Sequence, residues 1–427
     1  MLNIKSQREI LKVTSSRGFI KRPLYESYCF SNICGTIENI FLERDQRPAL
    51  PIDVLGKCRK SYKNVVIFLM DGFGWSLFKK MSKNDDFLKK ISKISVVSQL
   101  TSQFPSTTAA EMSSLHTDLS VGESGVCEWF YYEKHLDAII NPLRFSFVGD
   151  KERNTLQSTG VDAKKIFPNK TFYDQLKKNK IQSSVFFPQN YFPSPYIAHF
   201  TKGSKIVSYK ELIEGLSDLK NKLDRKGRVY NLFYFDKIDS VSHHNGPYSK
   251  NTIAEVKIFF KALKKIFFKN SNLKINDTLF IITADHGQIG VDPKKTIYLN
   301  KLIPDLEEKF KKSKSGKSLV PAGSCRDMFL YIKDEKLGQV YKLLNKRLEG
   351  KASVHKTINL IKLGFFGSNV RQKLLLERVG NLVILPNNRN LVWWNKDKKF
   401  TIKHLAHHGG ISLEEMIVPF ICFESRF

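Results

Sequence analysis

Seven side chains able to bind metal ions fall in order along this chain: Asp71 in LMDGFG, Thr108 in FPSTTAAE, Asp239 and His243 in DSVSHH, Asp285 and His286 in TADHG, and His408 in AHHGG. Carboxylate oxygens and imidazoles grouped in this way suit a pair of divalent cations. The hydroxyl among them has no evident structural purpose, yet it makes sense as a metal-activated nucleophile. The chemistry implied is cleavage of a bond to phosphorus. Asp239 and His243 stand four residues apart, so a single helical turn can face both toward one cation. Spacing alone does not choose between His243 and its neighbour His244, or between His408 and His407.

Three apolar runs must carry these residues. Residues 64–70 (NVVIFLM) stop at Asp71, 278–284 (TLFIITA) stop at Asp285, and 229–235 (VYNLFYF) run out just before Asp236 and Asp239. Unbroken apolar strands predict a sheet buried on both faces, hence a mostly parallel α/β core flanked by helices. The carboxyl ends of such strands are where open α/β sheets place their sites. Helical patterns are predicted over 109–116, 171–180, 210–222 and 252–268. Thr108 then opens a helix, where the macrodipole and free N–H groups favour an alkoxide and a phosphate alike.

Residues 296–400 read differently, as an inserted α+β subdomain with strands at 328–332, 381–386 and 391–394 and a helix over 336–348. The predicted order is an N-terminal extension packed on the core (1–62), a metal-binding core (63–295), the insertion (296–400) and a closing core segment (401–427) that brings His408.

Composition narrows the partners. No long stretch lacks charge, so no membrane span is predicted. The N-terminus has no apolar signal-peptide region, and six cysteines without C-x-x-C spacing fit reduced thiols; a cytoplasmic placement is the expectation. The formal charge of +29 is an outlier, but the lysines are spread over the whole chain and do not form one block. Abundant Lys, Asn, Ile and Phe are what an A/T-rich coding bias would produce. The charge therefore supports an anionic, phosphorylated small-molecule substrate, a nucleotide among the candidates, more than it supports nucleic acid.

The ordered set resembles the alkaline phosphatase superfamily, and within it the type I phosphodiesterase/nucleotide pyrophosphatase family, together with phosphonoacetate hydrolase. The matching stretches, 64–125, 230–247, 278–290 and 406–419, span nearly the full length and leave the insertion unmatched. The resemblance implies one cation on Asp71, Thr108, Asp285 and His286, and a second on Asp239, His243 and His408. It thereby prefers His243, His408 and Thr108 over His244, His407 and Thr107. It implies zinc, with manganese as the alternative, in a pair about 4 Å apart. Thr108 would attack phosphorus and pass through a phosphothreonine intermediate in cleaving phosphodiester or pyrophosphate bonds. Alternatives on the same fold are a phosphomonoesterase, a phosphonate hydrolase or a phosphomutase; outside catalysis, a basic protein that binds nucleic acid. A sulfatase would need C/S-x-P-x-R before the first helix, and the chain has none.

Three further side chains are expected at the substrate. In the resemblance, the position three residues after the nucleophile carries an amide that donates to a phosphoryl oxygen; here it is Glu111, a change that would favour diesters over dianionic monoesters. Trp129, in the run EWFYY, could stack a base or line the leaving-group pocket, although packing on the core accounts for the run as well. Arg326, in GSCRDMF, could reach the phosphate from the insertion, or pair with Asp327 or another carboxylate.

Overall fold

The structure is a computed structural model that describes residues 1–43, 48–223, 227–268, 277–396 and 398–424; parts of all four predicted segments that fall on other numbers lie outside the described residues. Seven strands form the central sheet: β1 (Asn64–Met70), β2 (Val96–Thr101), β3 (Ile181–Pro188), β4 (Lys205–Tyr209), β5 (Arg228–Phe235), β6 (Thr278–Thr283) and β7 (Ile417–Glu424). Their order across the sheet is β2-β7-β6-β1-β5-β3-β4. Strand β7 runs antiparallel to both of its neighbours, and the rest of the sheet is parallel. The predicted class, a mostly parallel α/β sheet between helices, is what forms.

The three runs read from sequence are neighbours at the centre. β1 pairs with β5 on one side and β6 on the other, in a register that sets Met70 beside Phe235 and Leu69 beside Thr283. Every residue of β1 and β6 is buried, which is why those segments carry no alternation. Three strand ends therefore open at one point, and the acidic residues that follow them must lie side by side.

Residues before the sheet brace its edge. Asn3 caps the helix Ile4–Val13, accepting from the N–H groups of Lys5 and Ser6. Its side chain also donates to Ser98 Oγ at 2.9 Å, and Leu2 and Cys29 bridge to Val97 and Thr101 on β2. That covering protects an edge strand from foreign pairing.

After β6 the chain builds a second hydrophobic cluster around Leu299, Phe310, Met328, Leu344, Ile384 and Trp394. A three-stranded antiparallel sheet runs through it, with Leu382–Pro386 between Met328–Leu330 and Ala352–Lys356, and the helix Leu337–Arg347 packs on it. Its other face joins the main core through Phe329, Tyr331, Phe366 and Leu375. This second cluster is thus packed against the main core. Among the described residues, no helix is long and apolar enough to cross a membrane.

Candidate active site

Asp71 follows β1 directly, and its N–H donates to Phe235 O at 2.9 Å. The next residue must turn sharply: Gly72 has φ +73°, and a Cβ there would sit 3.0 Å from Asp239 Cα. That close approach sets the start of helix α2 (Lys237–Asn245), with Asp239 in its first turn and His243 in its last, against the end of β1. Helix α1 (Thr108–Thr117) begins at Thr108 itself.

The first group is built around His286. Its Nδ1 lies 3.0 Å from Gly287 O, and a carbonyl can only accept, so Nδ1 carries the proton and Nε2 presents a lone pair. Asp71 Oδ1 stands 3.4 Å from that Nε2, Asp285 Oδ2 3.5 Å, and Thr108 Oγ1 3.1 Å. The other oxygen of each carboxylate is already used. Tyr234 OH donates to Asp71 Oδ2, while the N–H groups of Gly72 and His286 donate to Asp285 Oδ1 at 3.1 and 2.9 Å. Asp71 Oδ1 and Asp285 Oδ2 are buried and have no partner. Two carboxylate oxygens and an imidazole lone pair aimed at one point repel one another unless a cation lies among them. Burial, then the charges of Asp285 and Asp239, push the Asp71 carboxyl well above its ordinary range.

The second group repeats the logic. Asp239 Oδ1 is 3.4 Å from His243 Nε2 and 3.9 Å from His408 Nε2. Both histidines point Nδ1 at a backbone carbonyl, His243 at Ala406 O (2.7 Å) and His408 at Ser106 O (3.0 Å), which fixes Nε2 as the ligand atom. Gln288 Nε2 donates to Asp239 Oδ1 and steadies it. The seven predicted ligands thus lie together. Asp71, Asp285 and His286 form one set, and Asp239 and His408 a second that the same His286 also adjoins. His243 meets Asp239 while clustering with His404 and His407, and Thr108 meets His286; such donors fit divalent cations.

A cavity of about 500 Å³ opens beside Thr108. Its walls include Trp129, Phe130, Trp393 and Phe400, so aromatic faces from the core and the insertion enclose the approach to the nucleophile. Phe130 and Trp393 are stacked, with centroids 6.5 Å apart and planes 22° from parallel. Trp129, 39% exposed, lines this cavity.

Two expected substrate contacts are corrected. Glu111 is fully buried, and both its oxygens are taken by Gln103, whose backbone N–H donates to Oε1 and whose amide donates to Oε2 at 2.9 Å. One helical turn past Thr108, its side chain turns inward to tie down the loop ahead of the nucleophile. Arg326 is also buried. Its guanidinium forks onto Glu415, Nε to Oε1 at 2.9 Å and Nη2 to Oε2 at 2.8 Å, and it donates to Asn390 O. This is the carboxylate pairing weighed against a phosphate contact, with Glu415 as the partner.

Sequence reasoning missed another carboxyl. Glu128 is fully buried yet lines the cavity next to Thr108; its Oε1 accepts from Trp129 N at 2.6 Å, and Thr107 and Asp327 are its polar neighbours. Glu128 Oε2 and Asp327 Oδ2 have no protein donor. Burial pushes the Glu128 carboxyl up to about 7, and burial followed by the charge of Glu128 raises Asp327 well above its ordinary range. The available signal was the acidic residue opening the EWFYY run, overshadowed by its aromatics. His404 and His407 also reach the cavity, and the H-x-x-H-H spacing of 404–408 was the signal for them.

Fold and site together define a metal-dependent hydrolase of the alkaline phosphatase type. The family model for type I phosphodiesterase/nucleotide pyrophosphatase matches residues 65–411, and the chain belongs to that family. Among solved structures it is similar to murine ectonucleotide pyrophosphatase/phosphodiesterase 5, in an inactive form in complex with AMP, at 16% identity and TM-score 0.63, covering 84% of this chain and 87% of that one. The human counterpart gives TM-score 0.62 at the same identity and coverage. Phosphonoacetate hydrolase from Sinorhizobium meliloti 1021, in complex with phosphonoformate, is also similar, at 16% identity and TM-score 0.58, covering 84% of this chain and 89% of that one. No curated protein sequence matches the chain.

Proposed function

We propose that this chain hydrolyses phosphodiester or pyrophosphate bonds in small nucleotide-type substrates, with Thr108 as the nucleophile and a phosphothreonine intermediate. The observation that carries the reading is the convergence of Asp71 Oδ1, Asp285 Oδ2 and His286 Nε2 beside Thr108 Oγ1. When bound, two divalent cations, zinc or manganese, would favour the alkoxide form of Thr108 and offset charge on the phosphoryl and leaving-group oxygens. Asp71, Thr108, Asp285 and His286 would hold one, and Asp239, His243 and His408 the other.

The protein's own groups supply the rest. Thr108 opens a ten-residue helix, so unpaired N–H groups of its first turn face the incoming phosphoryl oxygens. Thr108 Oγ1 bonds to phosphorus as the bond to the leaving group breaks, and water then cleaves the phosphothreonine in a second displacement. The aromatic walls exclude water and offer flat faces to a planar leaving group. Glu128 bounds the cavity with a carboxyl that has no cationic partner, so a monoester dianion meets more repulsion there than a diester monoanion. The AMP bound to the murine neighbour and that protein's inactivation by a threonine-to-alanine change support a nucleotide substrate and a threonine nucleophile.

The test is a hydrolysis screen of dinucleotides, nucleoside triphosphates, sugar nucleotides, phosphonates and monoesters with zinc- and manganese-loaded protein. Cleavage of diester and pyrophosphate bonds ahead of monoesters is expected. Preference for a phosphonate or a monoester would replace this reading with another on the same fold.

A further inference from the structure

The chain has ten histidines, and five of them, His243, His244, His404, His407 and His408, line one cavity. The two ligand groups use only His243 and His408 of these. His404 and His407 are held in place by backbone pairing: Ala406–His407 lies antiparallel to Ile289–Gly290, Leu405 N donates to His243 O at 2.7 Å, and Val291 N donates to Leu405 O at 2.9 Å. The rings of His243, His404 and His407 consequently form a triangle, with centroids 5.0, 5.5 and 5.6 Å apart. One ring nitrogen of each lies within 4.8 Å of the other two. In a tetrahedral site such nitrogens are about 3.3 Å apart, so a shift of roughly an ångström in the side chains would close the set. His407 Nε2 is buried and has no hydrogen-bond partner. Plain packing of neutral imidazoles would leave that nitrogen at the cost of an unmet polar group.

We propose that His243, His404 and His407 form an additional site for a borderline divalent cation such as Zn2+ or Co2+, at the outer edge of the catalytic cavity. His243 Nδ1 is committed to Ala406 O, so its Nε2 is the one nitrogen it can offer, and that same nitrogen faces Asp239. An imidazole lone pair binds one ion at a time. Occupation of the outer set and occupation of the Asp239–His243–His408 set therefore exclude each other, and filling the outer set withdraws His243 from the inner one. Three imidazoles without a carboxylate select borderline ions over Mn2+ or Mg2+. A borderline ion therefore divides between the two sets in a ratio that its own concentration does not change, while Mn2+ stays on the inner one. This rests on the two-group reading above only for the inner set.

The experiment uses Co2+ alone, added to metal-free full-length protein and followed by calorimetry and visible absorption. D239N and H408A each disable the inner set and leave His243, His404 and His407 intact. Both are expected to bind two Co2+, and adding H404A and H407A to either should weaken the second ion at least tenfold while the first, on Asp71, Asp285 and His286, stays. The proposal is overturned if neither D239N nor H408A binds a second ion, or if the second ion is indifferent to His404 and His407. Loss of both ions from unaltered protein would instead sink the two-group reading.

Discussion

The imidazoles of His286 and His408 stack face to face, with ring centroids 3.6 Å apart and planes 14° from parallel. His286 belongs to the group around Asp71 and Asp285, and His408 to the group around Asp239 and His243. One stacked pair therefore joins the two groups, and neither can shift without moving the other. Since His286 follows β6 and His408 lies in the segment before β7, the pairing of β6 with β7 sets this contact. The site is a property of the sheet as much as of its loops.

Metal removal should be felt in stability as well as in turnover. Chelation is expected to abolish hydrolysis, and zinc or manganese to restore it. In the metal-free protein the Asp71 carboxyl is raised by burial and by Asp285 and Asp239. A group raised in the folded state favours folding most below its ordinary pKa, and that contribution is lost as pH climbs toward the raised value. Metal-free protein should thus lose stability as pH rises above the ordinary carboxylate range, and bound metal should offset the loss. Thermal melts with and without chelator between pH 4 and pH 8 measure it; a gap that does not widen with pH would contradict the crowding of these carboxylates.

The nucleophile separates from its neighbour by one residue. T108A should lower turnover by several orders of magnitude, as loss of a nucleophile does, while T108S keeps part of it. T107A should be milder, because the Thr107 side chain faces Glu128. Acid quench of the wild type with labelled substrate should trap phosphate on Thr108; label on another residue would displace it from this role.

Much of this was legible because buried parallel strands announce themselves. NVVIFLM and TLFIITA have no polar face, and each ends at an acid whose backbone turn is dictated by glycine, so position and chemistry could be read together. Thr108 was legible for the same reason, as the residue opening a helix. Glu111 and Arg326 were not, because type and spacing do not tell which way a side chain turns. Glu111 lies one turn inside its helix, and its direction depends on Gln103, in the loop before it. Arg326 depends on Glu415, 89 positions away in sequence. Glu128 meets Asp327, 199 positions away, only once the 296–400 segment has packed on the core. Such pairings are long-range, and no local pattern records them.

Arg326 should behave as an anchor. Removing one member of a buried ion pair leaves an uncompensated charge, which costs about 3–5 kcal/mol. R326M is expected to destabilise by that order, and R326M/E415L to recover much of it, with KM little changed in the double variant. Denaturant unfolding and steady-state kinetics decide it. A large KM effect from R326M, without loss of stability, would return Arg326 to the substrate.

Trp129 should matter in proportion to the leaving group. It is partly exposed at the cavity and makes an edge contact with Phe130, centroids 6.1 Å apart. W129A is expected to raise KM for a nucleotide or nitrophenyl ester several-fold and to leave an alkyl phosphodiester nearly unaffected, since stacking on an aromatic face contributes about 1–3 kcal/mol per base. Equal losses on aromatic and alkyl esters would reduce Trp129 to packing.

Glu128 gives the sharpest test, because charge and stability move together. A carboxyl held beside Asp327 without a cationic partner penalises any further negative charge that enters the cavity. E128Q replaces it with an amide that can still accept from Trp129 N and can also donate. Monoester hydrolysis should therefore rise relative to diester hydrolysis, by tenfold or so if about 1.4 kcal/mol of repulsion is relieved. The stability effect has a definite sign. Glu128 is raised from 4.5 to about 7 in the folded chain, so its contribution to folding is full below pH 4.5 and is lost as pH rises through 7. E128Q cannot ionise and escapes that loss. Its stability should match the wild type in acid and exceed it above neutral pH, by about 3 kcal/mol for a shift of this size, with a higher melting temperature there. An unchanged monoester-to-diester ratio in E128Q, together with a melting difference that does not vary with pH, would show that Glu128 neither faces the phosphate nor carries the burdened proton.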